Sequence, residues 1–199
     1  MRILGFSDLH RKQDVAYSIV EESAQADVVV GAGDFAHKGI GLLDTLEILK
    51  GCRVPVVLVS GNHDREHELK EFCAGWELGH FLHGTGVELE GHFFFGLGKE
   101  VPKQMDKNHG EAMSEEVAEA LLSSCPRGSV LVTHTPPYGI ADLHKDGSHG
   151  GSVSVHDAVK STQPVLNLCG HVHFAWGQTG RIGETLVHNM GPKLNWFEV

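Results

Sequence analysis

Short apolar runs alternate with amphipathic segments along most of the chain. The run around Val28-Val29-Val30 and the run over 54–60 are continuously apolar, as in parallel strands that are covered on both faces. Between such runs, apolar residues recur at helical spacing. The pattern predicts strands over 2–7, 27–31, 54–60, 129–133 and 165–168, and helices over 14–25, 42–50, 66–74, 111–123 and 154–160.

The stretch over 79–98 has a different pattern. Its short β-type pieces, at 81–82, 87–89 and 92–97, are separated by glycines, which predicts an antiparallel meander. The tail of the chain ends in two more β-type pieces. Alternating β and α segments at both ends, with a β-only middle, predict one layered α/β domain on a mixed sheet, spanning residues 1–199.

The composition adds an acidic balance and an excess of histidine. The 199 residues carry 26 Asp and Glu against 16 Lys and Arg, a formal charge of -10. Arg11-Lys12 is the only adjacent basic pair, whereas a protein that binds duplex DNA normally presents a basic stripe. We therefore expect no extended nucleic-acid surface. Fifteen histidines are too many for core packing alone, and imidazole is the commonest metal ligand.

The cysteines and the apolar runs bear on the compartment. The four cysteines stand apart without a C-x-x-C pair, which fits neither a zinc knuckle nor a compact disulfide framework. The chain reaches Asp8 before any long apolar run, so no signal peptide is expected. The longest apolar run, over 54–59, is about a third of a membrane span. These features predict a cytoplasmic protein with free thiols and no membrane partner.

Polar residues with metal-binding chemistry follow five of the predicted strands. In chain order they are Asp8 and His10, Asp34, Asn62 and His63, His134, and His171 and His173. Open α/β sheets place their sites at the carboxyl ends of the strands. Because packing does not explain such groups after five strands, we expect them to converge on one site.

The types of these residues point to divalent metal ions. Two Asp, one Asn and three or four His form an oxygen and nitrogen set without sulfur, which suits Mn, Fe or Zn better than copper(I). The set is larger than one tetrahedral ion takes, and it fits two ions roughly 3.5–4 Å apart that share a carboxylate. The i, i+2 spacing of Asp8 and His10, and of His171 and His173, places each pair on one side of an extended segment.

In this order, the motifs resemble the five blocks of the calcineurin-like metallophosphoesterase superfamily. The blocks are Asp8-x-His10, Gly33-Asp34, Gly61-Asn62-His63-Asp64, His134 and Gly170-His171-Val172-His173. The match spans residues 8–173, and the segment 134–142 is similar to the small Icc-related phosphoesterase branch. The resemblance implies a four-layer α/β/β/α sandwich with mixed sheets in a single domain.

The resemblance also implies a role for each matched residue. A first divalent ion would be held by Asp8, His10 and His173, and a second by Asn62, His134 and His171, with Asp34 bridging the two. His63 would be the catalytic residue that faces the substrate phosphate, and Asn62 would also contact the substrate. Mn is the expected ion, with Fe, Zn or Ni as alternatives. Arg11 stands where many members carry Gly, and it is either a phosphate contact or a solvated charge.

The implied activity is hydrolysis of a phosphoester by a hydroxide that two divalent ions activate. His63 would either stabilise the equatorial phosphate oxygens or protonate the leaving oxygen. A chain of this length leaves little room for a cap domain, so we expect an open site whose specificity is set by loops such as 138–151. This favours a phosphodiesterase acting on small phosphodiesters or nucleotides. A phosphomonoesterase, a pyrophosphatase-like hydrolase and a nucleotide-binding regulatory module with weak activity are the alternatives.

A few further positions near these motifs have more than one interpretation. His37 either lines the site or is an ordinary solvated histidine. Asp64 either orients a ligand imidazole or caps a helix. The amides of 150–152 either cradle an anion, or Ser152 or Ser154 caps a short helix. Asn189 is expected to be a turn residue.

Overall fold

The computed structural model describes residues 1–103 and 110–199. Its strands are β1 (Arg2–Phe6), β2 (Val28–Ala32), β3 (Val56–Val59), β4 (Gly79–Phe81), β5 (Thr85–Leu89), β6 (His92–Leu97), β7 (Val130–Thr133), β8 (Leu166–Cys169), β9 (Thr179–Ile182), β10 (Thr185–Asn189) and β11 (Asn195–Glu198). Its α-helices are α1 (Gln13–Glu22), α2 (Leu42–Leu49), α3 (Glu66–Ala74), α4 (Glu115–Leu122) and α5 (Val153–Thr162). No helix in these two ranges has both the length and the apolar composition needed to cross a bilayer.

The strands form two mixed sheets rather than one. The first sheet has the order β11-β1-β2-β3-β4, in which β11 runs antiparallel to β1 and the other pairs are parallel. The second has the order β5-β6-β7-β8-β10-β9, in which the two outer pairs are antiparallel and the inner pairs parallel. Because parallel neighbours end at the same edge, the loops after β1, β2 and β3 meet, as do those after β7 and β8.

Alternation of side chains between the faces of each sheet sorts the core into three apolar layers. In β1, Leu4 packs against α1, α2 and α3, whereas Ile3 packs between the two sheets. In β7, Val130 and Val132 face the first sheet, whereas Leu131 packs against α4 and α5. Helices thus cover the outer face of each sheet, which confirms the predicted α/β/β/α sandwich.

The β-only middle of the chain is divided between the sheets, so the prediction of one antiparallel meander is wrong. β4 pairs in parallel with β3, with Val57 opposite His80, while β5 and β6 form an antiparallel hairpin in the second sheet. The chain changes sheet near Gly84, which has a φ of +63°. Leu82, just before it, packs between the sheets. Phe81, in β4, packs against the layer between the first sheet and its helices. A glycine-separated pattern predicts strands, but it does not show which sheet each strand joins.

Smaller differences lie at the ends of elements. The helix predicted over 111–123 begins at Glu115, because the hydroxyl of Ser114 caps it by accepting the N–H of Val117 at 3.4 Å. The helix predicted over 14–25 is α1 followed by a short 3-10 turn at Ser23–Gln25. The tail contains three strands, β9, β10 and β11, where two were expected.

The cysteines contribute packing rather than chemistry. All four, Cys52, Cys73, Cys125 and Cys169, are buried and free. Burial raises the pKa of Cys52 to about 11 and that of Cys73 to about 12, so both thiols stay protonated at neutral pH. Free cysteine in such surroundings behaves as a small apolar side chain, and the four unpaired thiols agree with the prediction of free thiols.

Candidate metal centre

The loops after β1 and β2 are joined by backbone hydrogen bonds that turn their side chains toward each other. The N–H of Asp8 donates to Gly33 (2.9 Å), and the N–H of His10 donates to Asp34 (2.9 Å). Asp8, His10 and Asp34 all have positive φ, at 54°, 44° and 57°, and so does His171 at 68°. Left-handed backbone is costly for such residues and concentrates at functional sites. Here it directs ligand-type side chains to one edge of the sandwich.

Four of these side chains form a first cluster. The ligand atoms of Asp8, His10, Asp34 and His173 all lie within 4.8 Å of one another. The Nδ1–H of His10 donates to the carbonyl of Ala36 (3.2 Å), so its Nε2 carries a lone pair, and this atom lies 3.1 Å from Nε2 of His173. Burial lowers the pKa of His10 to about 4, which keeps the ring neutral. Two ring nitrogens this close require a proton or a cation between them.

A second cluster forms around Asn62. Its Oδ1 lies 3.1 Å from Nε2 of His134 and 3.1 Å from Nδ1 of His171. His134 is fully buried and donates its Nδ1–H to the carbonyl of Ala32 at 2.8 Å, so its Nε2 also presents a lone pair. An amide oxygen and an imidazole lone pair are both acceptors. Their approach to 3.1 Å fits a cation held between them.

Asp34 joins the two clusters. Its Oδ2 lies 3.7 Å from Nε2 of His10, and its Oδ1 lies 3.6 Å from Nε2 of His134. Burial, with the nearby carboxylates Asp64 and Asp8, raises the pKa of Asp34 well above its usual range. A carboxylate in this setting is costly to ionise unless positive charge is close. The position between two sets of neutral ligands is where a bridging carboxylate is needed.

Two residues that the sequence analysis missed support Asp8. The Oδ2 of Asp8 accepts the hydroxyl of Ser7 (2.5 Å) and the indole N–H of Trp176 (3.2 Å). Trp176 also packs on His173, with ring centroids 4.3 Å apart and an angle of 34°. These contacts leave Oδ1 of Asp8 facing Nε2 of His173 at 3.7 Å. One indole therefore orients two ligand side chains, as outer hydrogen-bond partners do in metal sites.

Glu100 is a third residue that sequence patterns did not reveal. It lies just after β6 and is only 4% exposed, with Oε1 3.8 Å from Nε2 of His171. A carboxylate on that side of the ring favours a proton on Nε2, which leaves the Nδ1 lone pair of His171 facing Asn62. Nothing in the local sequence distinguishes this glutamate from a solvated one.

Asp64 takes neither of the two roles considered from the sequence. Within the described ranges it contacts no imidazole at hydrogen-bond distance, and the helix that follows it has Arg65 as its N-cap without a side-chain cap. Its Oδ2 instead accepts the backbone N–H groups of Asp34 and Gly61, and its Oδ1 accepts that of Ala36, each at 2.8 Å. Asp64 therefore fixes the backbone that carries the bridging residue.

We expect Asp64→Asn to lower the free energy of unfolding by about 1–3 kcal/mol. Both carboxylate oxygens accept N–H groups, so an amide must turn its NH₂ toward a backbone N–H and leave a buried donor unpaired. Urea denaturation without added metal measures the change. Asp157→Asn, at a carboxylate that is 68% exposed, is the matched control and should change stability by less than about 0.5 kcal/mol. Equal effects of the two substitutions would contradict the assignment.

His63 is held in one tautomer. Its Nδ1 accepts the backbone N–H of Lys38 at 2.9 Å, so the ring proton is on Nε2. Burial, with neighbouring His10 and His37, lowers the pKa of His63 to about 4. The nitrogens of these three histidines lie within 4.8 Å of one another, but a protonated Nε2 is a donor rather than a metal ligand. His37, which stacks on His63 at 5.2 Å, lines the site.

The loop after β7 is tied down by its own carboxylate. Asp142 is fully buried, accepts the N–H groups of Gly139 (2.9 Å) and Gly151 (3.0 Å), and accepts Nδ1–H of His149 (2.8 Å). Asn189 holds the same loop from β10, donating to the carbonyls of Ala141 (3.0 Å) and Val172 (3.2 Å). Asn189 is thus a buried residue that links the loop to the segment carrying His171 and His173. The prediction that it is a turn residue is wrong.

The backbone N–H groups in the first turn of α5 donate hydrogen bonds to protein side chains. The hydroxyl of Ser152 accepts the N–H of Val155 (3.1 Å), which makes Ser152 the N-cap. Glu115 accepts the N–H groups of Val153 (3.0 Å) and Ser154 (2.9 Å). The N–H groups of Gly150 and Ser152 donate to the carbonyls of Asp142 and Pro136, each at 2.9 Å, and that of Gly151 donates to the Asp142 carboxylate at 3.0 Å. The capping interpretation of 150–152 therefore holds, and the anion-cradle interpretation does not, because these amides already have protein partners.

The similarities to known proteins agree with this geometry. The model of the calcineurin-like phosphoesterase superfamily domain matches residues 1–196. The chain is 31% identical to an uncharacterised protein of Methanocaldococcus jannaschii, over 97% of this chain and 89% of that protein. It is 25% identical to a Mycobacterium tuberculosis protein named as a cAMP/cGMP dual specificity phosphodiesterase, over 89% of this chain but only 58% of that protein. The crystal structure of a Thermus thermophilus protein has a TM-score of 0.76 at 21% identity, covering 99% of this chain and 98% of that one.

The donor set fits divalent cations on chemical grounds. Imidazole lone pairs, an amide oxygen and two buried carboxylates converge, and among the described residues sulfur does not contribute to either cluster. Positive charge stabilises such an arrangement, because it separates acceptors that otherwise face one another. With a family match over nearly its whole length, the chain belongs to the calcineurin-like phosphoesterase superfamily and is a metal-dependent phosphoesterase.

Proposed function

We propose that the protein is a phosphodiesterase that hydrolyses small phosphodiesters or nucleotides with two divalent ions, of which Mn is the expected one. The main support for the proposal is the position of the Asp34 carboxylate between the two ligand clusters. Its Oδ2 faces Nε2 of His10 and its Oδ1 faces Nε2 of His134, at almost equal distances. A site for a single ion would not require a carboxylate that faces two separate ligand sets. We therefore assign the bridging role to Asp34.

The other residues take the roles that their contacts support. Asp8, His10 and His173 would hold one ion, and Asn62, His134 and His171 the other. When bound, such a pair of ions lowers the pKa of water and neutralises charge on the phosphate. Asn62 also contacts the substrate in this proposal. His63 donates its Nε2–H to a phosphate oxygen, and Lys38 keeps that proton in place by occupying Nδ1.

The surroundings favour a small substrate. Two cavities flank the centre, one of about 300 Å³ beside Asn62 and His63 and one of about 530 Å³ beside His10 and His37. Each is the size of a small-molecule site. The M. tuberculosis relative named for cAMP and cGMP supports testing cyclic nucleotides, although this chain spans 58% of that protein. The acidic balance of the chain supports small anions over a nucleic-acid strand.

A panel of substrates and metals tests the proposal. Bis(4-nitrophenyl) phosphate, 4-nitrophenyl phosphate, 3′,5′-cyclic AMP and pyrophosphate are each assayed with Mn, Zn, Fe, Ni and Mg. We expect both diesters to be hydrolysed faster than the monoester, with Mn giving the highest rate. A preference for 4-nitrophenyl phosphate or pyrophosphate would replace the proposal by a phosphomonoesterase or a pyrophosphatase-like enzyme. No turnover with any metal would leave only nucleotide binding.

The metal stoichiometry gives a separate prediction. We expect two divalent ions per chain in protein equilibrated with Mn and then desalted, because two ligand sets share one carboxylate. Elemental analysis measures the ratio, and Asn62→Ala, which removes a ligand from one set only, should reduce it toward one. A wild-type ratio of one, unchanged at millimolar metal, would contradict the binuclear proposal.

A further inference from the structure

We propose that Arg11 and Lys12 form a subsite for a second phosphoryl group of the substrate, next to the phosphoester that the metal centre cleaves. The subsite is the cavity of about 530 Å³ lined by His10, Arg11, Lys12, Gln13, Asp14 and His37. His10 lines this cavity and also belongs to the first ligand cluster. The inference rests on the proposed phosphoesterase function, and it adds which substrates the site prefers.

The backbone and a glycine position the side chain of Arg11. Its backbone N–H donates to the carbonyl of Phe35 (3.0 Å), and its φ is +68°. Its side chain runs over Gly41, at the start of α2, where a Cβ would lie 2.5 Å from Nε and 2.8 Å from Cδ. A side chain larger than hydrogen at Gly41 would therefore displace the guanidinium. The backbone of Arg11 continues the left-handed turn of Asp8 and His10, and Gly41 is itself left-handed with a φ of +79°, so the two segments hold the Arg11 side chain against the start of α2.

Lys12 is directed toward the same end of the metal centre. Its Nζ lies 5.9 Å from the ring centroid of Trp176, within range of a cation–π contact. Trp176 packs on His173 and donates to Asp8, so the ammonium group lies beside the first ligand cluster. Arg11 and Lys12 thus both line the cavity, and Lys12 also lies next to Trp176.

Neither cation is neutralised within the described chain. Among residues 1–103 and 110–199, no carboxylate lies within 4.0 Å of the charged atoms of Arg11 or Lys12, although Asp14 lines the same cavity. Arg65 and Lys99 are the only Lys or Arg residues of that part of the chain that lie within 4.0 Å of a carboxylate, so Arg11 and Lys12 resemble most of the other cations in being unpaired. In a protein with a formal charge of -10, Arg11-Lys12 is the only adjacent pair of basic residues in the sequence, and both of its members line a cavity that also borders His10.

A phosphoryl group is the ligand that this pair suits. A guanidinium presents parallel N–H groups that match two phosphate oxygens, and an ammonium adds a mobile point charge. The scissile phosphoester occupies the metal centre, so the group bound here is a second one on the same substrate. Phosphodiesters that carry a further phosphoryl group are substrates of this class, whereas diesters with only neutral alcohol or base substituents are not. Nucleoside diphosphates are the simplest ligands that present two phosphoryl groups.

Calorimetric binding of two ligands that differ by one phosphoryl group tests the subsite. AMP and the non-hydrolysable α,β-methylene analogue of ADP are titrated into Mn-loaded protein at fixed free Mn. We expect the wild type to bind the analogue about tenfold more tightly than AMP at low salt. R11A/K12A should reduce that preference to less than about threefold, and G41A should weaken it in the same direction. R53A/K160A removes two cations from elsewhere on the chain and should keep the wild-type preference.

The outcomes are distinguishable. If R11A/K12A and R53A/K160A show the same preference, the second phosphoryl group binds the metals and the subsite proposal is wrong. A wild type without any preference for the analogue would also refute the subsite. Thermal unfolding and metal content of each variant identify any loss that comes from misfolding. The measurement requires no hydrolysis, so absence of turnover in the substrate panel would refute the proposed activity while leaving the binding preference to decide this inference.

Discussion

Asp34→Asn is expected to weaken both divalent ions together, each by more than about 100-fold, and to reduce phosphodiester turnover to background. The substitution keeps the shape of the side chain but removes the negative charge that would offset repulsion between two cations. It also replaces one carboxylate oxygen, which would otherwise be a metal ligand, with an NH₂ group that faces a ring nitrogen of His10 or His134. Metal titration of desalted protein, followed by elemental analysis, measures both losses.

The same substitution should leave the metal-free fold intact. The Asp34 carboxylate is 1% exposed, and its pKa is raised by burial and by the carboxylates of Asp64 and Asp8. A neutral amide removes that cost, so the free energy of unfolding without metal should be unchanged or higher. Asn62→Ala is the matched variant for metal loss, and it should release mainly the ion near His134 and His171. If Asp34→Asn loses one ion while the other keeps its native affinity, Asp34 is not the bridge.

The placement of the ligand residues was predictable from the sequence because it depends on local rules. Continuous apolar runs identify buried parallel strands, and the residues that follow them must lie at one edge of the sheet. Asp8, Asp34 and Asn62 follow three neighbouring strands of the first sheet, and His134 follows a strand of the second. The structure brings all of them together, and the metal roles assigned to them remain predictions until ions are measured.

The supporting contacts were not predictable, because each joins segments far apart in the chain. Trp176 donates to Asp8 across 168 positions, and no local pattern marks it. Glu115 caps α5 from 38 residues away, and Asp142 accepts the N–H of Gly151, so contacts outside the local pattern decide between the two roles considered for the amides of 150–152. The sheet that β4 joins is a similar case, since Phe81 packs in the layer between the first sheet and its helices. Periodicity identifies elements, whereas partners are selected by burial and by unpaired donors.

The hydrogen bond from Lys38 to His63 also decides a mechanistic question that the sequence left open. An imidazolium would present Nδ1–H to the backbone N–H of Lys38, and two donors cannot face each other at 2.9 Å. His63 in this geometry is a neutral Nε2–H donor. It is suited to stabilising charge on phosphate oxygens, and it is poorly suited to giving up a proton to a leaving oxygen.

His63→Ala is therefore expected to reduce turnover by roughly 10²–10⁴ while both metal ions remain bound. The loss should be similar for thymidine 5′-(4-nitrophenyl phosphate) and thymidine 5′-(phenyl phosphate), because a donor to the phosphate oxygens acts whatever the leaving group. His63→Gln, which keeps an N–H donor but cannot transfer a proton, should recover part of the rate. A loss confined to the phenyl ester, without recovery by glutamine, would instead make His63 the general acid. Loss of a metal ion from His63→Ala would instead identify His63 as a metal ligand. That result would contradict the placement of the ring proton on Nε2, which follows from the hydrogen bond of the Lys38 N–H to Nδ1.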